Sequence, residues 1–463
     1  MEEYSETVQE YKKGLKGEIT VFLSLITVIL VSFIVAVLDS AVIKTYGNKS
    51  KVDASAAVFS VFGEYEDELF NDYGILAVDS SYGKSGNTDK YVLDKLRYFG
   101  TNNMNHKIKG IELLTDEHCA AFRSQVLKYK SGPFYEENYS KFEEDKVRWL
   151  DIIKKGKEAL KQDKEYESVL HDLKGSADEN LGEEENLFEI LEESKKSSLV
   201  DDILPDGTKV SNRKVNLSSL ASKRKLRKGY GVAYDTVSLY SPLKNMIFND
   251  YILDNFNNVT CAGTDESGLV YEVEYIISGK ASDQENLEDV IKKIIYMRVI
   301  PNLEHIEKSS GKKTEIKALS LVMAVTLANP ALTEVIEPLM KWMWAYTESK
   351  CDVAALMAGL KVPEIKTELT WNSGLYDCFT DNVTYKLEGP LSGLEYKDFL
   401  KILLLSKDAK KVTPRCADMA ELNIRSIREK FKIDNCFVKI KIENNAELLK
   451  GFSYNFPLEY GYN

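Results

Sequence analysis

Ile19-Thr-Val-Phe-Leu-Ser-Leu-Ile-Thr-Val-Ile-Leu-Val-Ser-Phe-Ile-Val-Ala-Val-Leu38 runs for twenty residues without a charge, a glycine or a proline. As a helix it reaches about 30 Å, the thickness of a bilayer's hydrocarbon core. Fifteen of the twenty are Leu, Ile, Val or Phe, each favouring insertion by roughly 0.3–0.6 kcal/mol near the membrane centre. Thr20, Ser24, Thr27 and Ser32 can bond to the carbonyl one turn earlier and so cost little there. A buried core helix rarely stays uncharged on every face for this length. A cleaved secretory signal has an apolar region of only about 7–15 residues, ending at small residues. The stretch is therefore read as a permanent single-pass anchor, with the lipid bilayer as its first partner.

The rest of the 463-residue chain is long enough for a large core. It is acidic, with a net charge of −12 and 29% charged residues, which argues against a nucleic-acid surface. Cys119, Cys261, Cys351, Cys378, Cys416 and Cys436 lie far apart without a C-x-x-C pair, which removes zinc-ribbon and thioredoxin-like readings. In an exported chain they could pair in many ways; scattered buried thiols are the simpler expectation. Lys12, Lys13 and Lys16 before the anchor balance Lys44, Lys49 and Lys51 after it, so charge does not set the orientation.

Five segments follow from composition. Residues 1–18 form a short polar tail and 19–38 the transmembrane helix. Residues 39–134 read as a membrane-proximal helix and an α+β part. Gly47-Asn48 is expected to break the helix, and Val52, Ala56, Phe59, Phe62 and Leu69 to form the apolar face that follows. Tyr73–Asp79 and Ile108–Leu114 read as strands, Tyr91–Phe99 and Asp116–Lys130 as helices. Residues 135–228 combine a long amphipathic helix, fraying near Gly156, with a flexible charged linker over 175–228 that ends in Lys223-Arg-Lys-Leu-Arg-Lys228. Residues 229–463 read as a helix-rich α+β domain. There, Leu269–Ile277 alternates like a half-exposed strand, and Ser282 with Glu285 caps a helix that ends by Pro301. Helices are expected over 316–328, 332–350, 352–360, 394–405 and 415–431, and paired strands over 436–442 and 451–458. The fold class is α+β: one N-terminal transmembrane helix followed by a helix-rich extracytoplasmic ectodomain.

Motifs that carry chemistry are sparse. H-E-x-x-H, G-x-S-x-G and G-x-G-x-x-G do not occur. Ser310-Gly-Lys-Lys-Thr314 approaches a phosphate loop but has Lys313 after Gly-Lys and Ile306 at the required upstream glycine. Asp116-Glu-His-Cys119 places a thiol beside an imidazole, but helix neighbours point about 100° apart. Trp342, Trp344 and Tyr346 near Cys351 read as packing. No catalytic residue, cofactor or metal is expected.

Six stretches carry a resemblance. They are Lys16-Gly-Glu-Ile-Thr-Val-Phe-Leu-Ser-Leu25, Phe70-Asn-Asp-Tyr-Gly-Ile-Leu-Ala-Val-Asp79, Tyr271-Glu-Val-Glu-Tyr-Ile-Ile-Ser-Gly-Lys280, Trp344-Ala-Tyr-Thr-Glu-Ser-Lys-Cys-Asp-Val353, Val362-Pro-Glu-Ile-Lys-Thr367 and Tyr396-Lys-Asp-Phe-Leu-Lys-Ile-Leu-Leu-Leu405. Together they resemble DUF5702, a family of membrane-anchored bacterial proteins found with Tad/Flp-type pilus loci and similar to pseudopilin-like TadE/TadG components. The resemblance implies a short cytoplasmic tail, an extracytoplasmic bulk and protein partners in a pilus or secretion complex. It also implies a leader cut at Gly17-Glu18, where a glycine stands directly before the apolar run. Tad-type pilins carry their glutamate a few residues beyond the cut; here Glu18 follows Gly17 at once, so an uncleaved anchor is an equal expectation. Thr20, Ser24 and Thr27 share one helix face and form a candidate contact surface within the membrane. A membrane-tethered enzyme and an extracytoplasmic sensor are the alternatives. A deep pocket with convergent polar groups would favour either of these, and an exposed apolar patch on the membrane-proximal helix would favour a protein-contact role.

Overall fold

The computed structural model describes residues 2–462 other than 87, 133–138, 182–185, 197–198, 206–207, 233–236, 262–267, 381–382, 387–391 and 449–450. Of residues 2–18, 139–140, 179–181 and 237–238 only the backbone is described.

Helix α1 (Glu2–Phe62) is unbroken from the polar tail, through the apolar stretch, to the folded body. It is long and apolar enough to cross a membrane, and none of its most apolar window is buried. The expected break at Gly47-Asn48 does not occur. Gly47 lies against the ring of Tyr454, a contact that offsets the roughly 1 kcal/mol helix penalty of glycine. The buried face also differs from expectation. Ala54, Ala57, Val58, Val61 and Phe62 are buried, whereas Val52 and Phe59 are 66% and 64% exposed. Small alanines let the helix lie close to the sheet beneath it, so the larger Val52 and Phe59 point outward.

That sheet is antiparallel and joins both ends of the folded body. Strand β1 (Val78–Asp79), β2 (Met104–Leu113), β3 (Cys436–Glu447) and β4 (Ser453–Gly461) are arranged with β3 central. Met104 opposes Ala446 and Leu113 opposes Phe437 on one side, while Lys439 opposes Gly461 on the other. The alternation in 436–442 thus marks a true strand, paired to β4 as expected, whereas only the last two residues of 73–79 are strand. Helices α2 (Asp67–Tyr73) and α3 (Thr88–Leu96) lie between these pieces. Phe62, Val92, Ile108, Ile440 and Phe437 form the core between sheet and α1.

The larger core is helical. It is built from α4 (Asp116–Lys130), α5 (Tyr139–Leu181), α6 (Leu187–Lys196), α7 (Leu199–Ile203), α8 (Pro242–Asn255), α9 (Glu272–Ser278), α10 (Asp283–Lys308), α11 (Ser310–Thr326), α12 (Thr333–Met357), α13 (Tyr396–Leu405) and α14 (Ala409–Ile427). Helix α10 packs against both α12 and α5. At Gly156 α5 comes close to α10, where an added Cβ would stand 3.0 Å from Met297 Cγ, and α5 does not fray there. Ser282 caps α10 by accepting from the Glu285 amide at 3.3 Å. Pro301 does not end α10, which continues to Lys308, and the two helices expected over 332–350 and 352–360 are one helix, α12, from Thr333 to Met357 with Pro338 inside it.

Two expectations fail for a common reason. Residues 269–277 are not a half-exposed strand: 272–278 form α9, and Glu272 and Glu274 are buried with the apolar residues. Residues 175–228 are not a solvated linker where described: 175–181 continue α5. Phe188, Leu191, Val200, Ile203 and Leu220 join the helical core. Arg224 forks onto Glu421 at 2.6 and 2.7 Å and also pairs with Asp434, and Arg227 pairs with Asp89. In both segments charged side chains find buried partners, so polarity alone did not mean exposure.

Candidate functional site

Glu348 and Asp352 lie one turn apart on the same face of α12, and both are fully buried. Like charges at this spacing repel, and burial removes the water that would screen them. The fold answers with two cations. Lys366, placed inward by the turn after Pro363, puts Nζ 2.5 Å from Glu348 Oε1 and 2.6 Å from Asp352 Oδ1. Arg298, on the facing side of α10, donates Nε to Asp352 Oδ2 at 2.9 Å. Glu348 also accepts the Asn372 and Ser373 amides at 3.0 and 2.8 Å and the Ser373 hydroxyl at 2.8 Å. Asn302 completes the group by donating to Ser349 Oγ and Asp352. Burial pushes the Glu348 carboxyl above its ordinary range. Burial pushes Asp352 the same way, but Arg298 and Lys366 outweigh it and hold the carboxyl below its ordinary value.

This cluster forms a wall between two clefts. One, of about 240 Å³, lies between Arg148, Ile152 and Lys155 of α5 and Met297, Pro301 and His305 of α10, with Arg298 and Lys366 on its floor. The second, of about 220 Å³, reaches Asp352 and Lys366 from the side of Thr370 and Lys386. Arg298 Nη2 is buried without a hydrogen-bond partner among the described residues. Beside the first cleft, Lys312 lies over the Trp344 and Trp371 rings at 4.8 and 4.4 Å. The lysine of the phosphate-loop-like stretch is therefore engaged with indoles.

Two further buried carboxylates act as core anchors. Asp163, midway along α5, accepts from Trp342 Nε1 at 3.0 Å, Tyr296 OH at 2.5 Å and Lys195 Nζ at 2.6 Å. Glu274, on α9, accepts the Val259 amide at 3.0 Å and Tyr396 OH at 2.7 Å. Each joins segments distant in sequence. Sequence reasoning missed all of these carboxylates because they were counted among 73 acids. For Glu348, Asp352 and Glu274 the available signal was their position inside largely apolar runs, Trp342–Val353 and Tyr271–Ile277; Asp163, amid Lys161-Gln-Asp-Lys-Glu165, carried none.

The residues singled out from sequence are not brought together. Gly17 and Glu18 lie within the helical backbone of α1, and their side chains are outside the described residues. Thr20, Ser24 and Thr27 share an exposed face; Ser24 donates to Val21 O at 2.7 Å and Thr27 to Leu23 O at 2.8 Å. His118 is exposed while Cys119 is buried, and burial pushes the Cys119 thiol well above its usual value. Five of the six cysteines are buried, with Cys261 exposed, and all are free thiols.

Residues 177–448 match the family of unknown function DUF5702. No curated protein matches the chain, and no solved structure does. The matched span contains Glu274, Arg298, Glu348, Asp352 and Lys366, together with four of the six stretches quoted above, while 16–25 and 70–79 precede it. With more than half of its length matched, the chain belongs to the DUF5702 family.

Proposed function

We propose that this chain is a non-catalytic, single-pass membrane component of a Tad/Flp-like pilus or secretion apparatus, with residues from Ser40 onward outside the cytoplasm, acting through protein contacts of its ectodomain. The observation that supports this reading is α1. One continuous helix carries the apolar span into the folded body, with Val52 and Phe59 left exposed beside it. An unbroken helix fixes the direction of the ectodomain relative to the membrane, which suits a part of an assembly. The buried charges, in turn, are largely engaged with one another. Two measurements test the reading. With Cys261 replaced by serine, a single cysteine at the exposed Ser310 should react with an impermeant maleimide in intact cells; labelling only after lysis would reverse the orientation. Crosslinking in native membranes should recover pilus or secretion subunits, and their consistent absence would remove the assembly role.

A second reading, a ligand-binding ectodomain, is favoured by the unpartnered Arg298 Nη2 at the floor of the 240 Å³ cleft. It takes a small anion with an apolar portion as ligand. A thermal shift on adding small carboxylates, lost in Arg298→Met, would support it, and no shift at millimolar concentration would exclude that class.

A further inference from the structure

From Val21 to Phe59, α1 carries a stripe that repeats every seven residues. One set of positions is Val21, Val28, Val35, Val42, Lys49 and Ala56; the other, three residues on, is Ser24, Val31, Leu38, Thr45, Val52 and Phe59. Every one of these residues is exposed. Most residues of α1 that are buried against its own body (Gly47, Ser50, Ala54, Ala57, Val58 and Val61) fall on the opposite side of the helix, Phe62 lies on the flank, and of the stripe Phe59 meets the Tyr460 ring edge-on at 6.1 Å. The ectodomain thus packs mainly on the back of α1 and leaves the repeating face exposed, with Phe59 touching Tyr460 at its end while staying 64% exposed.

We propose that this face is the interface with a second copy of the same chain, the two α1 helices forming a parallel two-stranded coiled coil that runs from the membrane into the ectodomain. The inference rests on the membrane-anchored reading of residues 19–38. Three features select the occupant. The stripe crosses from the apolar span to the water-exposed half without losing register, so its partner must also be a helix emerging from the membrane in the same direction. A second α1 satisfies this by symmetry. Valine at four successive first positions, with Leu38 at a second position, suits two parallel strands, and a single lysine at a first position fixes register and strand number at a cost in stability. A strict seven-residue repeat further requires a left-handed supercoil.

The area is also informative. Ser24 to Phe59 spans about 53 Å, and a strip about 10 Å wide buries about 1,000 Å² for the pair, at the lower limit of a specific interface. Residues 39–63 alone reach about 37 Å and about 750 Å², below that limit. Within lipid there is no hydrophobic drive for helix pairing, so Val52 and Phe59 supply it outside, and anchoring supplies the local concentration. The pair should therefore form in membranes and dissociate when 1–38 is removed.

The test uses the full chain in native membranes with Cys261 replaced by serine. Val52→Cys, on the stripe, should form a disulfide-linked dimer under mild oxidation, whereas Lys51→Cys, exposed on another face, should not. Phe59→Glu should lower the Val52→Cys dimer about tenfold or more, because it replaces the largest apolar side chain of the water-exposed half with a charge opposite its own copy, and Lys49→Ile should raise it. Resistance to carbonate extraction is scored in parallel. Membrane-retained chain without a position-specific dimer overturns the proposal and leaves the anchor intact. A position-specific dimer in carbonate-released chain keeps the pairing and overturns the anchor. Cross-linking only to a product of another mass assigns the face to a different protein and overturns self-association.

Discussion

Glu274 holds a carboxylate wholly inside the core with only two hydrogen bonds and no cation, leaving Oε2 without a partner among the described residues. Burial pushes its pKa from 4.5 up to about 7. Between those values the folded chain keeps a proton that the unfolded chain has lost. Stability from this group is therefore full below about pH 4.5 and falls as pH rises toward about 7, by about 3 kcal/mol in all. Glu274→Gln keeps the acceptor for Tyr396 and Val259 and cannot ionise. Its stability relative to the parent should rise across that window in urea titrations at pH 5 and pH 8, and parallel profiles would show that folding does not raise the Glu274 pKa. Lys366 presents the opposite case, a cation whose two acids are already buried. Lys366→Met strands Glu348 and Asp352 together and should cost about 3–5 kcal/mol. Adding Glu348→Gln should recover part of that loss, and simple additivity of the two changes would mean the pair does not interact.

Gly156 shows how an element-level feature escapes a sequence reading. A glycine inside an amphipathic run signals a weak turn of helix, yet here it is the point where α5 meets Met297 of α10. Gly156→Ala gains about 1 kcal/mol of helix propensity but brings a Cβ to 3.0 Å from Met297 Cγ and 3.4 Å from the Met297 backbone, so the two effects should nearly cancel. Gly156→Leu overfills the contact and should destabilise by about 1–3 kcal/mol; equal melting temperatures for the two variants would remove the close approach. The elements that were legible share one property: a periodic pattern read against water. The apolar span of α1, the alternation of β3, and the Ser282 cap all carry such a pattern. What failed was the assumption that a charged side chain faces out. It turned α9 into a half-exposed strand and the Lys223–Lys228 cluster into linker, although Glu272 is itself buried and Arg224 reaches the buried Glu421. The candidate site was illegible for the same reason, because Arg298, Glu348, Asp352 and Lys366 come from three separate segments and gain meaning only as a neutralised set.

At the scale of the molecule, the matched family span and the folded unit do not coincide. The span 177–448 begins near the end of α5 and ends just after β3. The helical core, however, packs Phe122 and Val126 of α4 and Ile153 and Leu170 of α5 together with Ile294, Trp342 and Phe399. Strand β3, central in the sheet, takes β2 from residues 104–113 along one side. A chain of 229–463, the segment that composition sets apart as its own domain, would lose the α5 face of α10 and expose a long edge of β3. Such an edge is a template for pairing with other chains, and the lost core contacts belong to the cooperative unit. The 229–463 fragment should therefore aggregate or show helical far-ultraviolet dichroism without a near-ultraviolet signal. A chain of 39–463, lacking only the tail and the apolar span, should melt in one transition seen alike at both wavelengths. A soluble 229–463 fragment with a sharp near-ultraviolet transition would mean that the C-terminal half folds alone, and that α4, α5 and β2 are docked onto it afterwards.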